Sequence, residues 1–106
     1  MNNNCSSPLE FLEWLTQCIE RAGIDIAPGY EDYINLTFAI ANDCGEAGRP
    51  FFHRITCLSG NYKAEENDKH FSHALKSGRR GNSLGTVYHL AETCGVELKG
   101  DGWKAD

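Results

Sequence analysis

The stretch from Lys76 to Ser83 reads KSGRRGNS, and it gathers the groups in this chain best suited to holding an anion. Arg79 and Arg80 offer forked donors that match a phosphate, with Lys76, Asn82 and Ser83 supporting them. Ser83 is also a good helix-capping residue. The first N–H groups of a helix have no partners within it, so the end of this turn would attract an anion in its own right. The competing reading is a solvated loop whose glycines only allow the turn and whose arginines keep it soluble. Gly78 to Gly81 also matches the GxxG loop with which KH domains clamp a nucleic-acid backbone. That four-residue pattern needs a supporting three-stranded sheet, and the chain shows no alternating strand of useful length.

A second basic cluster, Arg49, His53 and Arg54, flanks a short apolar stripe. His53 and Arg54 lie off that stripe, so both should be accessible. They could extend a phosphate track or pair with the acidic first and second helices, and pairing is the favoured expectation. Metal and thiol chemistry have thinner support. His70 and His73 are i, i+3 but lack the H-E-x-x-H context or a carboxylate partner. Cys57 lies four residues after His53 and Cys94 five after His89, without the orienting acid that an activated nucleophile needs. Neither a metal, a cofactor nor catalysis is expected. Tyr62 could stack a base, but it reads more simply as packing a helix entrance.

At 106 residues and 11.8 kDa the chain has room for one domain. No apolar run is long enough to cross a membrane, and the polar start MNNNCSS lacks a signal sequence. The five cysteines are scattered without a C-x-x-C pair, as in reduced, passive thiols of a cytoplasmic protein. The net charge of −5 opposes general nucleic-acid binding, but it is unevenly spread. Residues 1–47 carry −7, residues 48–90 carry +4 and residues 91–106 carry −2. A positive middle block sharing one face could meet phosphates while the acidic N-terminal helices face elsewhere.

The elements that would position these groups all have a helical period. Ser7 and Glu10 form a capping box with Pro8 at the first helical position, and Gly23 closes the helix. Phe11, Leu12, Trp14, Leu15, Cys18 and Ile19 fall within an arc of roughly 160°. A second helix is predicted from Tyr30 to Asn42, ended by Cys44 to Gly48, with Tyr33 and Phe38 among its core residues. Pro50 starts a short third helix with Phe51, Ile55 and Leu58 aligned. A fourth runs from Lys63 to Lys76, with Phe71 in its narrow apolar arc and Glu65–Lys69 and Glu66–His70 as i, i+4 pairs. Ser83 caps a fifth, whose stripe is Leu84, Val87, Leu90, Ala91 and Cys94. The expectation is an all-α fold, a compact bundle of about five short helices: residues 1–7 flexible, 8–96 the domain, 97–106 a loose polar tail.

Several landmarks carry a family likeness: the helix from Tyr30 to Ala41, the GRPFFHR run from Gly48 to Arg54, Asn61-Tyr62, and Ser83 to Gly95 with Thr86, His89, Leu90 and Ala91. Together they resemble the primase C-terminal type 2 domain, in the form carried by primase- and helicase-like proteins of mobile elements in Bacteroides-type bacteria. The resemblance covers roughly Leu9 to Val96 and implies a non-catalytic helical accessory domain. Its partners would be a neighbouring primase or helicase module and DNA, single- or double-stranded. The chain itself has no P-loop and no acidic metal-binding triad in a strand context. The alternative is a protein–protein interaction module that uses the acidic N-terminal helices and binds no nucleic acid.

Overall fold

A computed structural model of the chain describes residues 7–78 and 81–98. Helix α1 spans Pro8–Ala22, α2 Tyr30–Cys44, α3 Arg49–Thr56, α4 Ala64–Ser77 and α5 Leu84–Thr93, and there is no strand among the described residues. The start of α1 follows from its capping box. Ser7 Oγ accepts the Glu10 N–H at 3.2 Å, and Glu10 Oε1 accepts the Ser7 N–H at 3.1 Å. Gly23, at φ 67°, closes the helix in the left-handed conformation.

The expected break after α2 does not occur. A 3₁₀ turn, Gly45–Gly48, carries the chain directly from α2 into α3, so residues 30–56 are helical throughout. The result is four uninterrupted helical stretches rather than five separate helices. Gly45, at φ 60°, makes the corner. Gly48 then lies so close to α2 that a Cβ there would sit 2.5 Å from Ile40 Cγ2 and 3.0 Å from Cys44 Cβ. That corner directs α3 across the bundle and fixes where Arg49 and His53 emerge.

Helix α2 packs on α4 and α5, α1 packs on α3 and α5, and α3 packs on α4. Leu12, Leu15, Ile19, Leu36, Ile40, Phe52, Ile55, Phe71 and Val87 are fully buried between them. Burying each such side chain stabilises the fold by about 1.5–3 kcal/mol. Phe52, which lies beside the predicted stripe of Phe51, Ile55 and Leu58, is fully buried in the core. Its ring meets Phe71 at 5.1 Å and Tyr33 at 6.0 Å. Phe38 and Phe71 are buried as expected, whereas Trp14 is only half-buried and stacks with Phe11 and Tyr88 at 5.9 and 6.4 Å. The buried threonines Thr16, Thr37 and Thr56 each donate their hydroxyl to the carbonyl four residues back, which satisfies all three hydroxyls. Beyond Gly95, Val96 is buried and Leu98 packs on the core. The rest of the predicted tail, and residues 1–6, lie outside the described residues. No helix among the described residues is long and apolar enough to cross a membrane.

Candidate functional site

The basic turn leaves α4 at Gly78, which takes the left-handed conformation at φ 68°. Lys76, in the last turn of α4, is exposed, and Arg79 and Arg80 lie outside the described residues. Asn82 and Ser83 have internal duties. Asn42 Nδ2 donates to the Asn82 carbonyl at 3.1 Å, and Asn82 Nδ2 donates to Asn35 Oδ1 at 3.4 Å. Ser83 Oγ accepts the Gly85 N–H at 3.2 Å, and the Ser83 N–H donates to Thr86 Oγ1 at 3.4 Å. The Leu84 N–H donates to Asp43 Oδ2 at 2.9 Å. The N-terminus of α5, expected from the sequence to face a phosphate, thus already holds a carboxylate from the end of α2. Asn82 and Ser83 anchor the turn through these bonds.

The second cluster is neutralised from within. Arg49 lies between Glu46, which it meets with Nε and Nη2, and Asp68, whose Oδ1 is 2.9 Å from its Nη1. Its guanidinium also covers the Phe71 ring at 5.1 Å. His53 Nε2 is 3.0 Å from Asp68 Oδ1, and its Nδ1 is 2.8 Å from the Tyr62 hydroxyl. A carboxylate can only accept, so Nε2 carries the proton shared with Asp68. The hydrogen bond from His53, and then that from Arg49, holds the Asp68 carboxyl below its ordinary range. Glu46 is lowered by its bond from Arg49, and Glu20 by its bond from Arg54. Arg54 grips Glu20 of α1 with Nε at 2.9 Å and Nη2 at 2.6 Å. All three basic residues of this cluster thus meet protein carboxylates, as the pairing expectation has it. Arg54 finds the first helix as expected, but Arg49 and His53 find α4, which covers the side of α3 that looked free. Tyr62 packs against His53 in the same arrangement.

The sequence model of the Primase C terminal 2 (PriCT-2) family matches residues 15–91. The chain belongs to that family. The match takes in the GRPFFHR run, Asn61-Tyr62 and most of α5, stopping short of Gly95. No curated protein and no solved structure matches the chain significantly. A PriCT-2 domain is a primase-associated C-terminal domain.

In this PriCT-2 domain one face of α4 carries a row of exposed basic residues. Lys69, His73 and Lys76 are spaced i, i+4 and i+7, so they share one helix face, and all three are exposed. None forms an ion pair with a described residue. The expected Glu65–Lys69 and Glu66–His70 pairs do not close; His70 Nδ1 instead meets the Tyr33 hydroxyl at 2.8 Å. The spacing of Lys69 and His73 was legible in the sequence but was eclipsed by the arginine pair that follows. Cys57 Sγ donates to the Arg54 carbonyl rather than to His53. No disulfide joins Cys18, Cys44, Cys57 and Cys94, and burial pushes the Cys44 thiol up to about 11. Cys5 lies outside the described residues. No group of His, Cys, Asp or Glu among the described residues is arranged to hold a metal.

Proposed function

We propose that this chain is a non-catalytic accessory domain of a primase- or helicase-type replication protein, of the kind carried by bacterial mobile elements. In this reading it holds nucleic-acid phosphates along α4 and the basic turn. The supporting observation is the contrast between two sets of basic residues. Arg49, His53 and Arg54 are taken up by protein carboxylates. Lys69, His73 and Lys76 line one exposed face of α4, and Arg79 and Arg80 follow that helix in the sequence. At a helical rise of about 1.5 Å per residue, Lys69 to Lys76 spans about 10 Å, close to three nucleotides at about 3.4 Å each. Contacts of this kind position a backbone without reading its sequence.

The test is binding of labelled oligonucleotides, single- and double-stranded, across salt concentrations. With Lys69, Lys76, Arg79 and Arg80 each meeting a phosphate, affinity should fall about 50- to 150-fold between 50 and 200 mM salt. Arg79→Ala with Arg80→Ala should weaken binding to every sequence and flatten the slope of log affinity against log salt by about two units. Lys69→Ala with Lys76→Ala should do the same, while Glu10→Gln with Glu13→Gln should give at most a small gain. An unchanged slope in both basic-to-alanine variants, or no binding by the parent at 50 mM salt, would overturn the reading.

A further inference from the structure

A cleft of about 250 Å³ opens where the connector before α2, the first turn of α2, the end of α3 and the first half of α4 meet. Three tyrosines line it: Tyr30, Tyr33 and Tyr62. Two of these rings are fixed by their hydroxyls, Tyr33 on His70 and Tyr62 on His53, both at 2.8 Å. Tyr30 differs, being 80% exposed, and its hydroxyl has no hydrogen bond among the described residues. Large aromatic rings left in water at the mouth of a concavity are characteristic of binding surfaces.

The charge of the lining selects the ligand. Its carboxylates are Asp25 and Glu66, and it contains no Lys or Arg. Asp25 Oδ1 accepts the Ala27 N–H at 3.0 Å, but Asp25 Oδ2 and the whole of the exposed Glu66 carboxylate have no partner among the described residues. Glu31 and Asp32 follow Tyr30 directly and add to the negative field. A phosphate is repelled here. A purely apolar occupant would leave the carboxylates without a partner.

One further group indicates a peptide. Asn67 is only 7% exposed and lines the cleft. Its Oδ1 accepts the Lys63 N–H at 3.4 Å, while its Nδ2 has no acceptor among the described residues. A buried donor without an acceptor is unfavourable by about 1–3 kcal/mol, and a carbonyl oxygen of a bound backbone would satisfy it. Aromatic faces, free carboxylates and one buried amide donor together match a basic side chain and the peptide that carries it.

We infer that this cleft receives an arginine side chain presented by a partner protein. The guanidinium stacks against the tyrosine rings and directs its donors at Glu66 and Asp25, while the partner's backbone carbonyl accepts from Asn67 Nδ2. Arginine is favoured over lysine because its planar cation both stacks and divides its donors between two carboxylates. His70 lies about a quarter turn round α4 from Lys69, and Glu66 only about 20° from His73, so partner and nucleic acid would engage adjoining faces of one helix.

The full chain, isotopically labelled, should be titrated with acetyl-Gly-Arg-Gly-amide and followed by amide chemical shifts. Saturable shifts are expected at Tyr30, Tyr62 and Asn67, weaker ones with the lysine peptide and none with the glutamate peptide. Tyr30→Ser and Glu66→Gln, both at exposed positions, should each weaken arginine-peptide binding by about 2- to 5-fold. Arg79→Ala with Arg80→Ala should leave it unchanged, which separates this site from the phosphate face. Equal shifts from the glutamate peptide, or undiminished binding by both cleft variants, would overturn the inference. So would shifts at the cleft with oligothymidylate but with no peptide, which would make the pocket a base site instead.

Discussion

Replacing Gly48 with alanine should loosen the whole domain, although the backbone there suits alanine well. Gly48 has φ −80° and ψ −12°, ordinary right-handed helical values. On backbone entropy alone the change would stabilise by about 0.4–1 kcal/mol. The new Cβ, however, would lie 2.5 Å from Ile40 Cγ2. Ile40 is fully buried and β-branched, so its methyl cannot swing aside into solvent or into another easy rotamer. The second contact, at 3.0 Å, is with Cys44 Cβ, which is fixed to the α2 backbone. Relief therefore requires α3 to move away from α2, an overpacking strain of about 1–3 kcal/mol. The net loss should be about 1–2 kcal/mol, which lowers Tm by roughly 5–15 °C for a domain of this size. Thermal melts followed by circular dichroism would measure it. Gly60→Ala is the matched control, because nothing lies within 4 Å of its added carbon, and it should be neutral or slightly stabilising. A Gly48→Ala protein melting at or above the parent temperature would refute the claim that this close approach sets the angle between α2 and α3.

Phe52→Ala should be more damaging than any exposed change, at about 3–5 kcal/mol by urea unfolding, because the ring is fully buried among Phe71, Tyr33 and His53. Glu20→Gln should lower Tm slightly at neutral pH and low salt. Arg54 holds the Glu20 carboxyl below its usual value, so its contribution is present above about pH 4–5 and fades as pH falls through the lowered folded-state value. The difference from the parent should therefore vanish in acid, and it should shrink in 1 M salt because both partners are about 40% exposed. Iodoacetamide on the folded protein should label the exposed Cys57 before Cys18, which is buried, or Cys44, whose thiol is raised to about 11. Mass spectrometry of timed digests would establish the order.

The helices were legible because their ends are written locally. Ser7 with Glu10, Pro8 and Gly23 bracket α1, and Ser83 starts α5, each through contacts within a few residues. The family likeness was legible for the same reason, since its landmarks are mostly helix faces and caps. The passage from α2 into α3 was not, because a glycine-rich run such as GEAG permits a break and a 3₁₀ turn equally. Only the fit of Gly48 against Ile40 decides between them. The candidate site was legible in residue type and obscure in partnership. Arg49, His53 and Arg54 read as accessible residues that would pair with the first two helices, yet only Arg54 does so, through Glu20, while α4 brings Asp68 over Arg49 and His53. Asp43 occupies the start of α5 across 41 residues of sequence, and no local pattern announces a bond of that length. The cleft was hidden more deeply, because its tyrosines come from two segments about 30 residues apart, and its carboxylates Asp25 and Glu66 from two more.

Helix α2 touches every other element of the bundle, and this has a consequence for how the domain opens. No peripheral helix can leave without uncovering part of α2, and α2 cannot be uncovered while the others stay folded around it. The amides of its central, wholly buried turn, Leu36 to Ala41, should therefore exchange with solvent deuterium only when the entire domain unfolds. Their exchange free energy then equals the global stability, whereas the ends of α1 and α5 fray well below it. A force or a partner acting on any single helix is felt by all of them, and the domain responds as one cooperative unit.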